Sequence, residues 1–390
     1  MQYILTGTVC IGEELREDQY VLIEGEKIKE VGPVSNMPTS FSGEVLSYPK
    51  TMTIVPGFID EHIHGAGGAD AMDATPDALN KIAQHLVKEG TTAFLATTMT
   101  QSKQAIEAAL KNAGEFIHST ENRTGQAEII GIHLEGPFIH PKRKGAQPEE
   151  FILLPSPSQF DEWQELAQNT IRIVTLAPDQ ENGIALVKHL AEHGVIASIG
   201  HSDANFQDVV AAVEAGASHV THLFNGMRGL HHREPGTAGG ALLLKELTVE
   251  LIADGIHVHP KMIDLVFRLK DLDHAVLITD SMRAKWLPDG ESELGGQKVF
   301  VSDGKATLED GTLAGSILKL NQGVKHVMKF ANLTLPEVVK LVTMNPAKEL
   351  GLHHRKGSIE AGKDADLVVL NEKYDPILTI CRGGIAFKGE

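Results

Sequence analysis

Apolar, β-rich runs recur along the chain, spaced so that a helix fits between most neighbours. They cover 51–64 (TMTIVPGFIDEHIH), 91–99, 128–136, 171–178, 195–201, 219–225, 248–257 and 275–281. Most of the intervening segments carry apolar residues at the helical period. PDALNKIAQHLVKEG places Pro76 near the first turn, Leu79, Ile82, Ala83 and Leu86 on one face, and Gly90 at the stop. ENGIALVKHLAEHG and NFQDVVAAVEAG repeat the form and end in Gly194 and Gly216. Parallel strands alternating with crossover helices predict an α/β fold, a (β/α)8 TIM barrel.

The two ends follow another rhythm. QYVLIEGEKIKEVG reads as short strands with a hairpin at Gly25, and KGSIEAGKDADLVVLNEK has the same character. Neither end is long enough to build a good core alone, and the chain ends of a domain often lie close together. The two are expected to pair into one small β-sandwich domain, 1–52 plus 355–390, around a catalytic barrel at 53–354.

The 390 residues suit one large barrel and a small second domain, and 42% apolar content supplies the core. A net charge of −17 repels nucleic acid and anionic membranes, so neither is an expected partner. An anionic substrate would need a local basic group working against that field. The start, MQYILTGTVCIG, lacks a basic leader, and no apolar run reaches the ~20 residues of a membrane helix. Cys10 and Cys381 read as buried thiols in a reducing compartment. The expected location is cytoplasmic.

Chemistry enters at the strand ends, where a barrel of this kind gathers its site. The first run ends in His62 and His64, the third in Glu135, the fifth in His201, the sixth in His222, the seventh in His257 and the eighth in Asp280. His62 and His64 stand two apart on a strand and so share a face. One strand-end histidine is more often structural than a ligand. Here His62, His64, Glu135, His201, His222 and Asp280 all converge on one mouth. Imidazole with carboxylate suits Zn, Fe, Mn or Co. The set exceeds one tetrahedral ion, which points to two divalent metals per chain. His133 reads as core or as support behind the ligands, His259 as peripheral, and His231 and His232 as solvated. Lys142 and Lys144 read as a surface charge run. The segment 283–316 contains a hairpin turning at Asp303-Gly304 and either covers the site or only decorates the barrel.

The series HxH, HLEGPF, GHSDA, THLFNGM, HREPG, ADGIHV, ITDSM and TLAGS, closed by GSIEAGKDADLVVL, spans nearly the whole chain. It resembles the N-acetylglucosamine-6-phosphate deacetylases, a family of the amidohydrolase superfamily. The resemblance implies a metal-dependent amide hydrolase that converts N-acetylglucosamine 6-phosphate to glucosamine 6-phosphate and acetate. It implies Glu135, His201 and His222 as ligands of the main metal and Asp280 as catalytic acid–base. His257 would contact the acetyl carbonyl. Asn225 and Gly226 would offer backbone groups near the phosphate, and Gln147 would touch the sugar. The family is usually homodimeric, and Arg233 would pair with the phosphate across the interface. The HxH pair aligns the chain with the two-metal members. Two other readings stand beside this one: another amidohydrolase acting on a cyclic amide, and a non-catalytic binding protein on the same fold. A neutral ring needs no HREPG arginine, and a mere binder need not keep Asp280.

Overall fold

The computed structural model describes residues 2–389. Its centre is a parallel sheet of β1 (Phe58–Ile63), β2 (Thr91–Thr98), β3 (Glu128–Glu135), β4 (Ile171–Leu176), β5 (Ile196–Ile199), β6 (His219–Val220), β7 (Thr248–Ile252) and β8 (Ala275–Ile278). The strands pair in that order. Ring closure takes two forms. At the upper end the Asp280 amide donates to the His62 carbonyl at 2.8 Å and the His64 amide to Ser281 at 2.9 Å. At the lower end residues 341–342 stand between β1 and β8, accepting from Ile59 at 2.7 Å and from Leu277 at 3.1 Å. The expected (β/α)8 barrel is present, and helices pack their apolar faces on its outside.

Local chemistry explains the helix ends. The helix Pro76–Leu86 begins where the Thr75 hydroxyl accepts the Ala78 amide at 3.2 Å. After a short 3-10 turn the chain stops at Gly90, whose φ of +87° is open to glycine at no steric cost. Gly194 and Gly216 end the helices Gly183–Glu192 and Phe206–Glu214 in the same left-handed region.

The run 51–64 is two strands. Thr53–Pro56 pairs in parallel with Gln2–Ile11 and antiparallel with Leu367–Leu370, and so joins both chain ends into one sheet. Gly57 then hands the chain to β1; a Cβ there would lie 2.1 Å from the Thr92 hydroxyl. The β layer from the termini is thus one continuous eight-stranded sheet. Its inner residues Leu5, Val21, Ile23, Leu367, Val369 and Ile380 share a core separate from that of the barrel. The hairpin at Gly25 joins Glu14–Glu24 to Lys27–Pro33. Buried Lys356 lies 2.5 Å from Asp366, 2.7 Å from Glu128 and 3.2 Å from Asp364, tying the tail to the foot of β3.

The expected sixth strand, 219–225, is strand only at His219–Val220. The chain then turns, with positive φ at His222 and Phe224. The expected seventh strand ends at Ile252, so His257 stands in a loop. The segment after β8 forms a three-stranded sheet, Gly290–Leu294, Gln297–Ser302 and Lys305–Thr307, with the hairpin at Asp303-Gly304.

Candidate metal and active site

His64, Glu135, His201, His222, Asn225, Gly226, His257, Asp280 and Gln147 line one cavity of about 240 Å³ at the upper mouth. His62 lies just below it, fully buried. Leu294, Thr312, Leu313 and Gly315 form part of the wall, so segment 283–316 covers the site and is more than decoration.

His201, His222 and Asp280 each sit at or just past a strand end with positive φ, +47°, +29° and +46°. Non-glycine residues seldom adopt this conformation, and such strain gathers at functional sites. Its effect is to swing the side chains across the mouth.

Glu135 is the hub. Its Oε1 lies 3.1 Å from the Nε2 atoms of both His201 and His222, and Oε2 lies 3.3 Å from His64 Nε2. Asp280 Oδ1 lies 3.2 Å from His64 Nε2 and 3.6 Å from His62 Nε2. Two carboxylates and four imidazoles therefore share a few ångströms. Glu135, His201 and His222 can ligate one ion, and His62, His64 and Asp280 form a second such group.

The far side of each ring tests whether a cation fits. His201 Nδ1 lies 2.8 Å from the Arg143 carbonyl, and His222 Nδ1 lies 3.1 Å from the Asn225 carbonyl. A carbonyl only accepts, so each Nδ1 carries the proton and, in the neutral rings, each Nε2 presents a lone pair. Those two Nε2 atoms are 3.1 Å apart. Facing lone pairs beside a carboxylate call for a cation. His62 repeats the pattern: Nδ1 lies 2.8 Å from Glu250 Oε2, and buried Nε2 has no hydrogen-bond partner. The donor set thus fits divalent metal.

Charges agree with the geometry. Burial alone would raise the Glu135 carboxyl, yet the facing imidazoles hold it well below the usual carboxylate range. Burial would likewise raise Asp280, but His62 and His64 bring it down to about 2. Burial disfavours a charged His64, while Asp280 and Glu135 outweigh it and push its pKa up to about 10. Protons and metal thus compete for the same imidazole positions.

Gly226 is needed where it stands: a Cβ would lie 2.9 Å from His201 Nδ1, at a φ of +56°. The Gln147 amide donates to Glu135 Oε2 at 2.8 Å and accepts the Thr100 amide at 2.7 Å. It braces the hub carboxylate as well as lining the cavity. His257 Nδ1 lies 2.5 Å from Asp254 Oδ2, which fixes the ring at the wall. Arg233 is the site residue the fold does not bring in; it lies on an exposed loop, 2.8 Å from His232. Among the described residues that line the cavity there is no Lys or Arg.

The remaining histidines fall as expected. His133 is buried and bonded to the Glu61 carbonyl and Thr175. His259 caps the helix Pro260–Leu269, and His231 and His232 are exposed. Lys142 is exposed as well, and Lys144 is partly so, 3.9 Å from Glu149. Cys10 and Cys381 are buried and free. Glu250 escaped the reading of strand ends, because it sits inside β7. The available signal was a lone charge in the apolar run TVELIA.

Comparison with known proteins agrees. Residues 53–386 match the model of the amidohydrolase family. The N-acetylglucosamine-6-phosphate deacetylase of Bacillus subtilis (strain 168) is 47% identical over 374 residues, 96% of this chain and 94% of its own. An N-acetylgalactosamine-6-phosphate deacetylase of Escherichia coli O157:H7 is 36% identical over 95% of this chain and 96% of its own. The structure of a mutant N-acetyl-D-glucosamine-6-phosphate deacetylase from Mycobacterium smegmatis, in complex with N-acetyl-D-glucosamine-6-phosphate, superposes with a TM-score of 0.91 at 30% identity, covering 99% of both chains. The chain belongs to the amidohydrolase family, in the group that these hexosamine-phosphate deacetylases form.

Proposed function

We propose that this chain hydrolyses the acetamide of N-acetylglucosamine 6-phosphate, releasing glucosamine 6-phosphate and acetate. The observation that carries the reading is Asp280, a carboxylate held at the cavity wall beside two groups of metal-ligand character. The relatives' names supply the substrate.

Glu135, His201 and His222 would hold one divalent ion, and His62, His64 and Asp280 would help to hold a second beside Glu135. A bound ion supplies a Lewis acid that lowers the pKa of water to roughly 7 and polarises a carbonyl. Asp280 takes the proton of the attacking water as the new C–O bond forms. It returns that proton to the nitrogen as the C–N bond breaks. A carboxylate is ionised at neutral pH and so can serve as the base. Burial lowers the His257 pKa, but its bond to Asp254 outweighs this and raises it, so the ring can donate to the developing oxyanion. Asn225 and Gly226 line the cavity where the sugar phosphate would lie, and Gln147 adds an amide edge.

A phosphate carries about −1.5 to −2 charge, and the cavity of one chain brings it no Lys or Arg among the described residues. This favours a homodimer in which Arg233, exposed on its loop, reaches the neighbour's phosphate. A cytoplasmic location agrees with the two free, buried cysteines.

The deciding experiment supplies the purified, metal-loaded protein with N-acetylglucosamine 6-phosphate, N-acetylgalactosamine 6-phosphate and unphosphorylated N-acetylglucosamine, and measures acetate and free amine together. Turnover fastest on the first substrate is expected. Release from none of the three would leave the cyclic-amide and binding readings in its place.

A further inference from the structure

Glu250 is fully buried in the middle of β7, away from the cavity. Its Oε2 accepts from two donors that belong to different parts of the site. His62 Nδ1 lies 2.8 Å away, and the His222 amide donates at 2.9 Å. The Glu250 carbonyl accepts the next amide, Leu223, at 2.9 Å. One residue thus grips the imidazole from β1 and both amides of the turn that holds His222 at positive φ. Its other oxygen, Oε1, is buried with no hydrogen-bond partner.

We infer that Glu250 is a positioning residue for both halves of the metal site: it keeps the His62 proton on Nδ1, so that Nε2 faces Glu135 and Asp280, and it clamps the turn that aims His222. A carboxylate behind a ligating histidine orients the ring and raises its basicity, and losing such a partner typically costs 10–100-fold in metal affinity. A buried charge within an apolar strand is costly unless it is well bonded. Here both strong bonds are spent on proposed ligands. The inference rests on the two-ion reading for His62 but reaches His222 without it.

The test is zinc binding by metal-free protein in competition with a chromophoric chelator. It compares the parent with Glu250→Leu and Glu250→Gln. Glutamine can offer one oxygen to both donors, whereas leucine removes the acceptor. In Glu250→Leu the ion held by the histidine pair should bind about 10–100-fold more weakly. The ion at Glu135, His201 and His222 should weaken less, because only a backbone amide is released there. Glu250→Gln should recover most of the loss, a rescue that a general loss of packing would not give. A folded Glu250→Leu protein that binds both ions as tightly as the parent overturns the inference. If the leucine variant does not fold, nitrogen-15 spectra of the zinc-loaded parent decide, with His62 assigned by its loss in His62→Gln. Its proton is expected on Nδ1, and a proton on Nε2 overturns the inference. A parent that binds one ion removes the two-ion reading alone. Glu250→Leu must then still weaken that single ion through His222, and unchanged affinity overturns the inference.

Discussion

The Asp280 amide donates to the His62 carbonyl at 2.8 Å, so the bond that closes the barrel also fixes the proposed acid–base beside the first histidine of the pair. Asp280 then turns back at positive φ and sets Oδ1 3.2 Å from His64 Nε2. Position and strain are inherited from the backbone, and only the carboxylate is left to the side chain.

Asp280→Asn should therefore fold as the parent does and lose its turnover. Asparagine keeps the shape but cannot accept the proton. The effect should fall on kcat, by about 10²–10⁴-fold, with KM little changed. Steady-state kinetics on the phosphorylated substrate check this. A variant keeping more than about a tenth of the parent kcat would remove Asp280 from proton transfer.

Metal content is the second prediction. The parent should hold close to two ions per chain, and the double change His62→Gln, His64→Asn should lower that by about one and leave the fold intact. Elemental analysis after removal of excess metal measures it. The pH dependence has a definite sign. With His64 raised to about 10 in the metal-free protein, an ion must displace its proton at neutral pH. Apparent affinity should thus rise with pH from 6 toward that value, about tenfold per unit for each proton displaced. An affinity independent of pH over this range would exclude His64 as a ligand.

Strand ends were legible because an apolar run stopping at His, Glu or Asp has few structural explanations. The order of His62, His64, Glu135, His201, His222 and Asp280 along the chain was enough to place them at one mouth. What periodicity could not show is the backbone beyond the strands. A positive φ at His201, His222 and Asp280 comes from tertiary restraint, with no glycine to signal it. The split of 51–64 at Gly57 was hidden because both halves are apolar. Glu250 was passed over because its partners, His62 and His222, lie far away in sequence. The role of Gln147 under Glu135 was hidden for the same reason.

Arg233 provides the third prediction. Arg233→Ala should lower kcat/KM for the phosphorylated substrate about 10- to 150-fold, the worth of a charge-assisted hydrogen bond of roughly 1.5–3 kcal/mol. Unphosphorylated N-acetylglucosamine should be affected far less. In the proposed dimer, mixing Arg233→Ala with Asp280→Asn should restore some activity, since one site of each mixed pair would keep both groups. If subunit exchange is shown and no activity returns, Arg233 acts within its own chain.

The fourth prediction concerns the buried ion cluster that holds the tail to the barrel. Lys356 is 3% exposed and faces Glu128, Asp364 and Asp366. Removing Lys356 leaves Asp366 buried without its cation, while Asp364 keeps Lys27 and Arg355 and Glu128 keeps Arg355. Lys356→Met should cost about 3–5 kcal/mol at neutral pH, seen as a lower midpoint in urea. Burial raises the Asp364 carboxyl, but Lys356, Lys27 and Arg355 outweigh it and bring the pKa from 3.8 to about 2. The folded value lies below the unfolded one, so this contribution is fully present above the unfolded pKa and is lost as pH falls from about 4 toward 2. Glu128 is lowered too, by Lys356, Arg355 and Arg382 against its burial, and adds to the same trend. The gap in urea midpoint between parent and Lys356→Met should thus be widest near neutrality and narrow on acidification. A gap that stays constant from pH 7 to pH 3 would mean that lost packing of the lysine stem, and not its charge, sets the cost.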